Sequence, residues 1–276
     1  MKLSAQQVAY FQTFGYLKFP GLLADVIDDI IDVFEGIWAE RGGGHHGKPH
    51  DGKARSTIVP FIDQSERLCA LLDDERIVGI ASSLLGDDFN YTGSDGNYYV
   101  GDTKWHSDGW HPKYTYVKMA LYLDPLTRDT GCLRVIPGSH RIGDAFADGL
   151  QAQVRASEEN FGVPGRDVPA AALETTPGDL LLFNHNTKHA SFGGGTHRRM
   201  FTINLSQRYQ DEDLPALRQY VSVFARFWID HVYGEKMVRT ADAARLRHLE
   251  QIRANEDHLP ELARKARAEM GEPSRG

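Results

Sequence analysis

Thr103-Lys-Trp-His106-Ser-Asp108-Gly-Trp-His-Pro112 is the stretch from which the rest of the chain is read. On a β-strand, residues two apart point to the same face, so His106 and Asp108 aim an imidazole and a carboxylate at one point. A second imidazole from elsewhere completes two histidines and one carboxylate on one face of a metal. Such a facial triad leaves the opposite face open, as non-haem Fe(II) oxygenases require. His-x-Asp alone is a weak motif, because a chain with 12 histidines meets it readily by chance. Its meaning depends on what the flanking sequence supplies.

Around it lie short runs of β-branched and aromatic residues between turn signals: Asn90-Tyr-Thr, Asn97-Tyr-Tyr-Val100, Tyr116 to Leu123 and Leu133-Arg-Val-Ile136, then Leu180-Leu-Leu-Phe183 and Met200 to Ser206. Asp124-Pro, Asp129-Thr-Gly131 and Pro177-Gly-Asp179 punctuate them. The fold class expected is an all-β core with flanking helices, a double-stranded β-helix (jelly-roll, cupin-like) barrel. Upstream, Ser4 caps a helix over 4–14 that Gly15 ends, Tyr16-Leu-Lys-Phe-Pro20 is a short strand, and Leu22 to about Glu40 has helical spacing. Arg41 to Gly52 reads as loop, linker or lid, its three histidines spaced too flexibly for a preformed metal site. Ile58 to Leu85 reads as mainly helical. Asp144 to Ala171 is polar without a clear strand and reads as an insertion over the barrel mouth. After Gln207 the chain turns helical, Leu214 to about Tyr233 and then Ala241 to Met270, as helices packed on the barrel or forming a dimer contact. One domain over 1–276 is expected, with a helical part to about 88, a jelly-roll core at about 89–208 and C-terminal helices at about 209–276.

Composition narrows the class. The 276 residues carry 41% apolar content and a net charge of −7, which argues against broad nucleic-acid or anionic-membrane binding. The N-terminus lacks the basic and then apolar run of a signal peptide, and no stretch approaches a membrane span. Two cysteines, Cys69 and Cys132, read as free thiols in a reducing cytoplasm.

The third ligand and the cosubstrate partner come from the segment after Phe183. His185 follows the strand directly and His189 opens the small-residue stretch leading to the next one; spacing leaves both open. Arg198-Arg199 heads the last strand. If Arg198 faces inward, so do Met200, Thr202 and Asn204, with Phe201, Ile203 and Leu205 on the other side. This polar company favours Arg198 over Arg199.

Taken together, these blocks resemble the phytanoyl-CoA dioxygenase family of Fe(II)/2-oxoglutarate oxygenases. Phe14-Gly-Tyr-Leu-Lys-Phe-Pro-Gly-Leu-Leu23, Trp105-His-Ser-Asp108, Leu121-Tyr-Leu-Asp-Pro125, Thr130-Gly-Cys-Leu-Arg-Val-Ile-Pro-Gly-Ser-His-Arg141, Pro177-Gly-Asp-Leu180 and His189-x-Ser191 with Arg198 follow in consistent order over roughly 8–208. The resemblance implies His106, Asp108 and His189 as iron ligands, with His185 a loop residue. It implies Ser191 and an arginine, Arg198 or Arg199, for the distal carboxylate of 2-oxoglutarate; the His-to-Arg separation is a residue or two short of the family's. Asp108 favours oxygen insertion or desaturation over halogenation, which vacates that ligand position. His111, His140 and His197 are expected outside the ligand set, and Trp110, Tyr98 and Tyr99 are candidates for the pocket wall.

The expected function is hydroxylation or desaturation of a small-molecule metabolite, with Fe(II) as cofactor, 2-oxoglutarate and O2 as cosubstrates, and succinate and CO2 as products. Two alternatives stand beside it: a non-catalytic metal- or ligand-binding jelly roll, and an iron enzyme such as an epimerase with a different outcome. No nucleic-acid or membrane partner is expected, and a homodimer is compatible with the C-terminal helices.

Overall fold

The computed structural model describes residues 1–276. Ser4 caps helix α1 (Ala5–Phe14): its hydroxyl accepts from the Gln7 N–H while the Gln7 side chain accepts from the Ser4 N–H. The helix ends at Gly15, whose φ of +83° is the left-handed conformation. A Cβ there would lie 2.5 Å from His140 Nδ1 and 2.8 Å from Thr187 Oγ1, so glycine is required twice over. Strand β1 (Tyr16–Phe19) follows.

The helix expected from Leu22 starts later, as α2 (Ile27–Glu40). Residues 20–26 are held in turns because Asp179 accepts from the Gly21 N–H (2.8 Å) and Gly178 O accepts from the Leu23 N–H (2.9 Å). The chain continues through β2 (Ser56–Ile58), a strand hidden in a stretch read as loop and helix, then α3 (Glu66–Cys69) and α4 (Glu75–Leu85). Strands β3 (Asn90–Gly93), β4 (Gly96–Tyr99), β6 (Tyr116–Tyr122) and β7 (Leu133–Val135) fall where the alternating runs placed them, whereas β5 (Thr103–His106) ends at the histidine of the motif and leaves Asp108 beyond the strand, so strand alternation is not what aims its carboxylate.

The segment read as a strandless insertion is largely helical: α5 (Ala145–Arg155) and α6 (Ser157–Phe161), followed by β8 (Ala171–Leu173). Asp144 caps α5 by accepting from the Phe146 and Ala147 N–H groups. Ala147, Leu150 and Val154 form its buried stripe. Then come β9 (Leu180–Asn184), β10 (His189–Ser191), β11 (Arg198–Ser206), α7 (Leu214–Ser222), α8 (Glu235–Arg239), α9 (Ala243–Arg253) and α10 (Leu259–Glu269).

Two compact units are formed. One comprises Leu3–Ile27 and Tyr99–Met200; here the neighbours run β1-β9-β6-β11 in one sheet and β5-β10-β7-β8 in the other. Tyr122, Leu133, Val135, Leu181, Phe183 and Met200 make its core, each full burial contributing about 1.5–3 kcal/mol. Leu150 and Val154 of α5 pack with Trp105, Ile136 and Phe192 in a second cluster.

The other unit comprises Met1–Lys2, Asp28–Tyr98 and Phe201–Gly276, with β11-β4-β2 as neighbours and β3 also on β11. Phe34, Trp38, Phe61, Tyr98 and Phe201 form its aromatic core. Tyr98, a candidate pocket residue, is stacked on Trp38 and donates to Glu35 Oε2, so it is core instead. The glycine-rich loop is anchored by buried His45, whose ring nitrogens face Thr57 O and Pro273 O. Helix α9 lies against β3, with the His248 ring stacked on Phe89. No helix is long and apolar enough to cross a membrane, and Cys69 and Cys132 are free and buried, burial pushing their thiols up to about 12 and about 11.

Candidate metal centre

Strand β10 is the centre of the smaller sheet, hydrogen-bonded to β5 on one side and β7 on the other. The register sets His189 opposite His106, so two imidazoles arrive side by side, ring centroids 4.2 Å apart. Asp108 follows β5 by two residues. Its backbone N–H donates to His185 O (2.9 Å), which turns the carboxylate toward both rings. His106 Nε2 lies 3.8 Å from Asp108 Oδ1 and His189 Nε2 lies 3.7 Å from Oδ2. The three donor atoms fall within 4.8 Å of one another.

Each histidine is oriented from behind. His106 Nδ1 faces Lys104 O at 2.7 Å and His189 Nδ1 faces Thr187 O at 2.9 Å. With the proton on Nδ1 donated to a carbonyl, the Nε2 lone pair is left for the centre. Burial lowers the His189 imidazole to about 4, against the opposing pull of Asp108, so it is neutral at physiological pH. Burial alone would raise the Asp108 carboxyl; Lys118, His189, His185 and His106 outweigh it and hold the group well below the usual carboxylate range.

His185, the rival ligand from spacing, contributes its backbone carbonyl. The loop it belongs to is fastened to the segment after Asp108: Asn186 Oδ1 accepts from the His111 N–H (2.9 Å) and Asn186 Nδ2 donates to His111 O (3.2 Å). His111 stacks on Tyr116 at 3.8 Å. His140 lies away from the triad, its Nε2 facing Gln12 O.

Further along β10 and β11, buried Arg198 donates from Nη2 to Ser191 Oγ (3.0 Å) and lies over the Tyr99 ring. Its Nε and Nη1 are buried with no hydrogen-bond partner. Two glycines clear the space: a Cβ on Gly131 or Gly194 would fall 2.0 Å or 2.3 Å from Arg198 Nη1. Arg199 points the other way and forks onto Asp124, Nε–Oδ1 2.9 Å and Nη2–Oδ1 2.6 Å. Unsatisfied guanidinium donors in an interior carry a desolvation cost that an incoming carboxylate removes. The donor set, two imidazoles and one ionised carboxylate, fits an Fe(II) oxygenase centre, and the two donors left open on Arg198 fit a dicarboxylate.

Two side chains here were not picked out from the sequence. Lys118, inward on β6, puts Nζ 2.8 Å from Asp108 Oδ2. Gln151 of α5 accepts from both the N–H (3.0 Å) and hydroxyl (2.8 Å) of Ser107, between the two ligand positions of the motif. A lone lysine at an inward position of an otherwise apolar strand was the available signal for the first; nothing in the sequence marked the second.

The model of the phytanoyl-CoA dioxygenase family matches residues 11–200. The chain belongs to that family. An ectoine dioxygenase of Sphingopyxis alaskensis is 29% identical over 231 residues, covering 70% of this chain and 72% of that one. Among solved structures, EctD from S. alaskensis with bound Fe has a TM-score of 0.57 at 25% identity, covering 74% of this chain and 76% of that one. HygX from Streptomyces hygroscopicus with nickel and 2-oxoglutarate has a TM-score of 0.57 at 16% identity, covering 76% and 89%, and shares the fold. The chain therefore has the jelly-roll fold of this family and is an Fe(II)/2-oxoglutarate-dependent dioxygenase acting on a small molecule, with O2 as second cosubstrate.

Proposed function

We propose that His106, Asp108 and His189 hold the Fe(II) of this phytanoyl-CoA dioxygenase family member, and that Ser191 and Arg198 hold the distal carboxylate of 2-oxoglutarate. The observation that carries the reading is the convergence of the three donor atoms in the same compact unit as a buried guanidinium with two unused donors. Arg199 is left out of the cosubstrate site because Asp124 already occupies its fork. The whole chain is taken as one oxygenase domain, and a cytoplasmic setting agrees with two free, buried cysteines.

Bound there, iron supplies O2 activation coupled to oxidative decarboxylation of 2-oxoglutarate to succinate and CO2. The chain's residues do the rest. His106 and His189 present Nε2 to the centre because Lys104 O and Thr187 O accept from Nδ1. His185 O fixes the backbone of Asp108, so the carboxylate enters from a set direction. Arg198, backed by Ser191 and Tyr99, would hold the distal carboxylate of the cosubstrate through charge-assisted hydrogen bonds. Tyr122, Phe183 and Met200 belong to the buried apolar cluster of the same unit.

The primary substrate is a small metabolite, hydroxylated or desaturated. Succinate release and O2 consumption, measured with 2-oxoglutarate and a panel of small metabolites, test the function. Product mass separates the outcomes: one oxygen gained, two hydrogens lost, or no change. Succinate formation that no substrate stimulates and that survives His189→Ala would contradict the reading.

A further inference from the structure

We infer that Lys118 is a positioning residue of the iron centre: it holds Oδ2 of Asp108, fixes how that carboxylate is turned, and adds the charge that tightens cosubstrate binding. The inference rests on the proposed ligand set. Strand β6 is otherwise apolar and buried, with Tyr116, Val117, Met119, Ala120, Leu121 and Tyr122 around the lysine. A charge placed there is costly unless paired. It is paired with Asp108 Oδ2 at 2.8 Å, the lysine side chain 18% and the aspartate side chain 17% exposed.

The direction of the pairing matters. Oδ1 lies 3.8 Å from His106 Nε2 and Oδ2 lies 3.7 Å from His189 Nε2, and the ammonium sits 2.8 Å from Oδ2, so the lysine fixes how the carboxylate is turned between the two rings. Asp108, His189 and Tyr122 are among the groups that the Lys118 charge acts on, and Arg198 also acts on Tyr122, so both cations act on one interior. Lys118, Arg198 and Asp108 sum to one positive charge. A divalent ion raises that to three, against two for the same site without the lysine, and the cosubstrate arriving is a dianion.

The test is anaerobic titration of Fe(II)-loaded wild type, Lys118→Met and Lys118→Arg with 2-oxoglutarate, following the visible charge-transfer band, with melting curves for each. In Lys118→Met the dissociation constant for 2-oxoglutarate should rise about tenfold or more, and the band should move, while melting changes little. Lys118→Arg should recover most of the affinity. Should Lys118→Met fail to fold, Lys118→Gln, which keeps a donor without the charge, carries the comparison. Wild-type affinity and an unmoved band in the uncharged variant would overturn the assignment. A wild type that binds iron but gives no band contradicts the ligand proposal itself and the Lys118 role with it, so the two failures are distinguishable.

Discussion

At the scale of single residues, the two arginines at the head of β11 show how neighbouring identical side chains divide. Strand alternation sends Arg198 to the Ser191 side and Arg199 to Asp124. Arg198→Met should therefore raise the KM for 2-oxoglutarate by roughly one to two orders of magnitude, the loss of a charge-assisted pair, with iron content unchanged. Arg199→Ala should leave that KM alone and cost up to about 1 kcal/mol in urea unfolding, as for a partly exposed ion pair. Gly131 extends the argument: Gly131→Ala would thrust a methyl into Arg198 Nη1, so it should mimic Arg198→Met in the cosubstrate KM. Steady-state kinetics with varied 2-oxoglutarate check all three. Much at this scale was legible in the sequence. His106, Asp108, His189, Ser191 and Arg198 all lie where one compact unit brings them together, and the polar alternation Arg198, Thr202, Asn204 separated the arginines. Choosing His189 over His185 took the family resemblance, because both follow β9 closely and only the β5–β10 register sets one of them, His189, opposite His106.

At the scale of elements, the strands were read well and the polar helices poorly. Strands β6, β9 and β11 announce themselves by apolar or alternating runs, whereas β2, β8 and β10 are three residues each and too short to show a period. Helix α5 was hidden because its apolar stripe is thin, although the Asp144 cap and the Ala147, Leu150, Val154 spacing were present. That helix matters to the site. Leu150 and Val154 pack with Trp105, and Gln151 grips Ser107 between His106 and Asp108. Leu150→Ala should cost about 2–4 kcal/mol in urea unfolding. Gln151→Ala should spare stability by comparison and weaken iron binding, measured by metal titration, by loosening the loop carrying Asp108. Equal iron affinity in Gln151→Ala and wild type would show that α5 only covers the motif.

At the scale of the whole molecule, several buried titratable groups couple stability to pH. Burial lowers His189 and His111 to about 4. The unfolded chain therefore binds their protons first as pH falls below about 6.5, and stability declines until the folded rings also protonate near 4. Asp63 acts in the opposite sense. Burial raises it to about 6 despite hydrogen bonds from Gly234, Tyr91 and Ser94, so the folded form takes its proton first, and its contribution is present at low pH and lost as pH rises through 6. Two histidines against one aspartate leave a net loss on acidification from about 6.5 to 4. Metal-free protein should show this in urea unfolding, and Asp63→Asn should make the fall steeper. Stability that is flat or rising over that window would contradict the burial of both rings. None of this pH behaviour was visible in the sequence, because it depends on which titratable groups the fold strips of water.

The central claim, a two-histidine, one-carboxylate iron site paired with a 2-oxoglutarate pocket, is tested most directly by anaerobic titration of the metal-free protein. Fe(II) is added first and then 2-oxoglutarate, in wild type, His106→Ala, His189→Ala and His185→Ala. The account predicts a visible metal-to-ligand charge-transfer band in wild type and His185→Ala, and its loss in the other two. Iron binding without the band in wild type, or a band that survives His189→Ala, would contradict it.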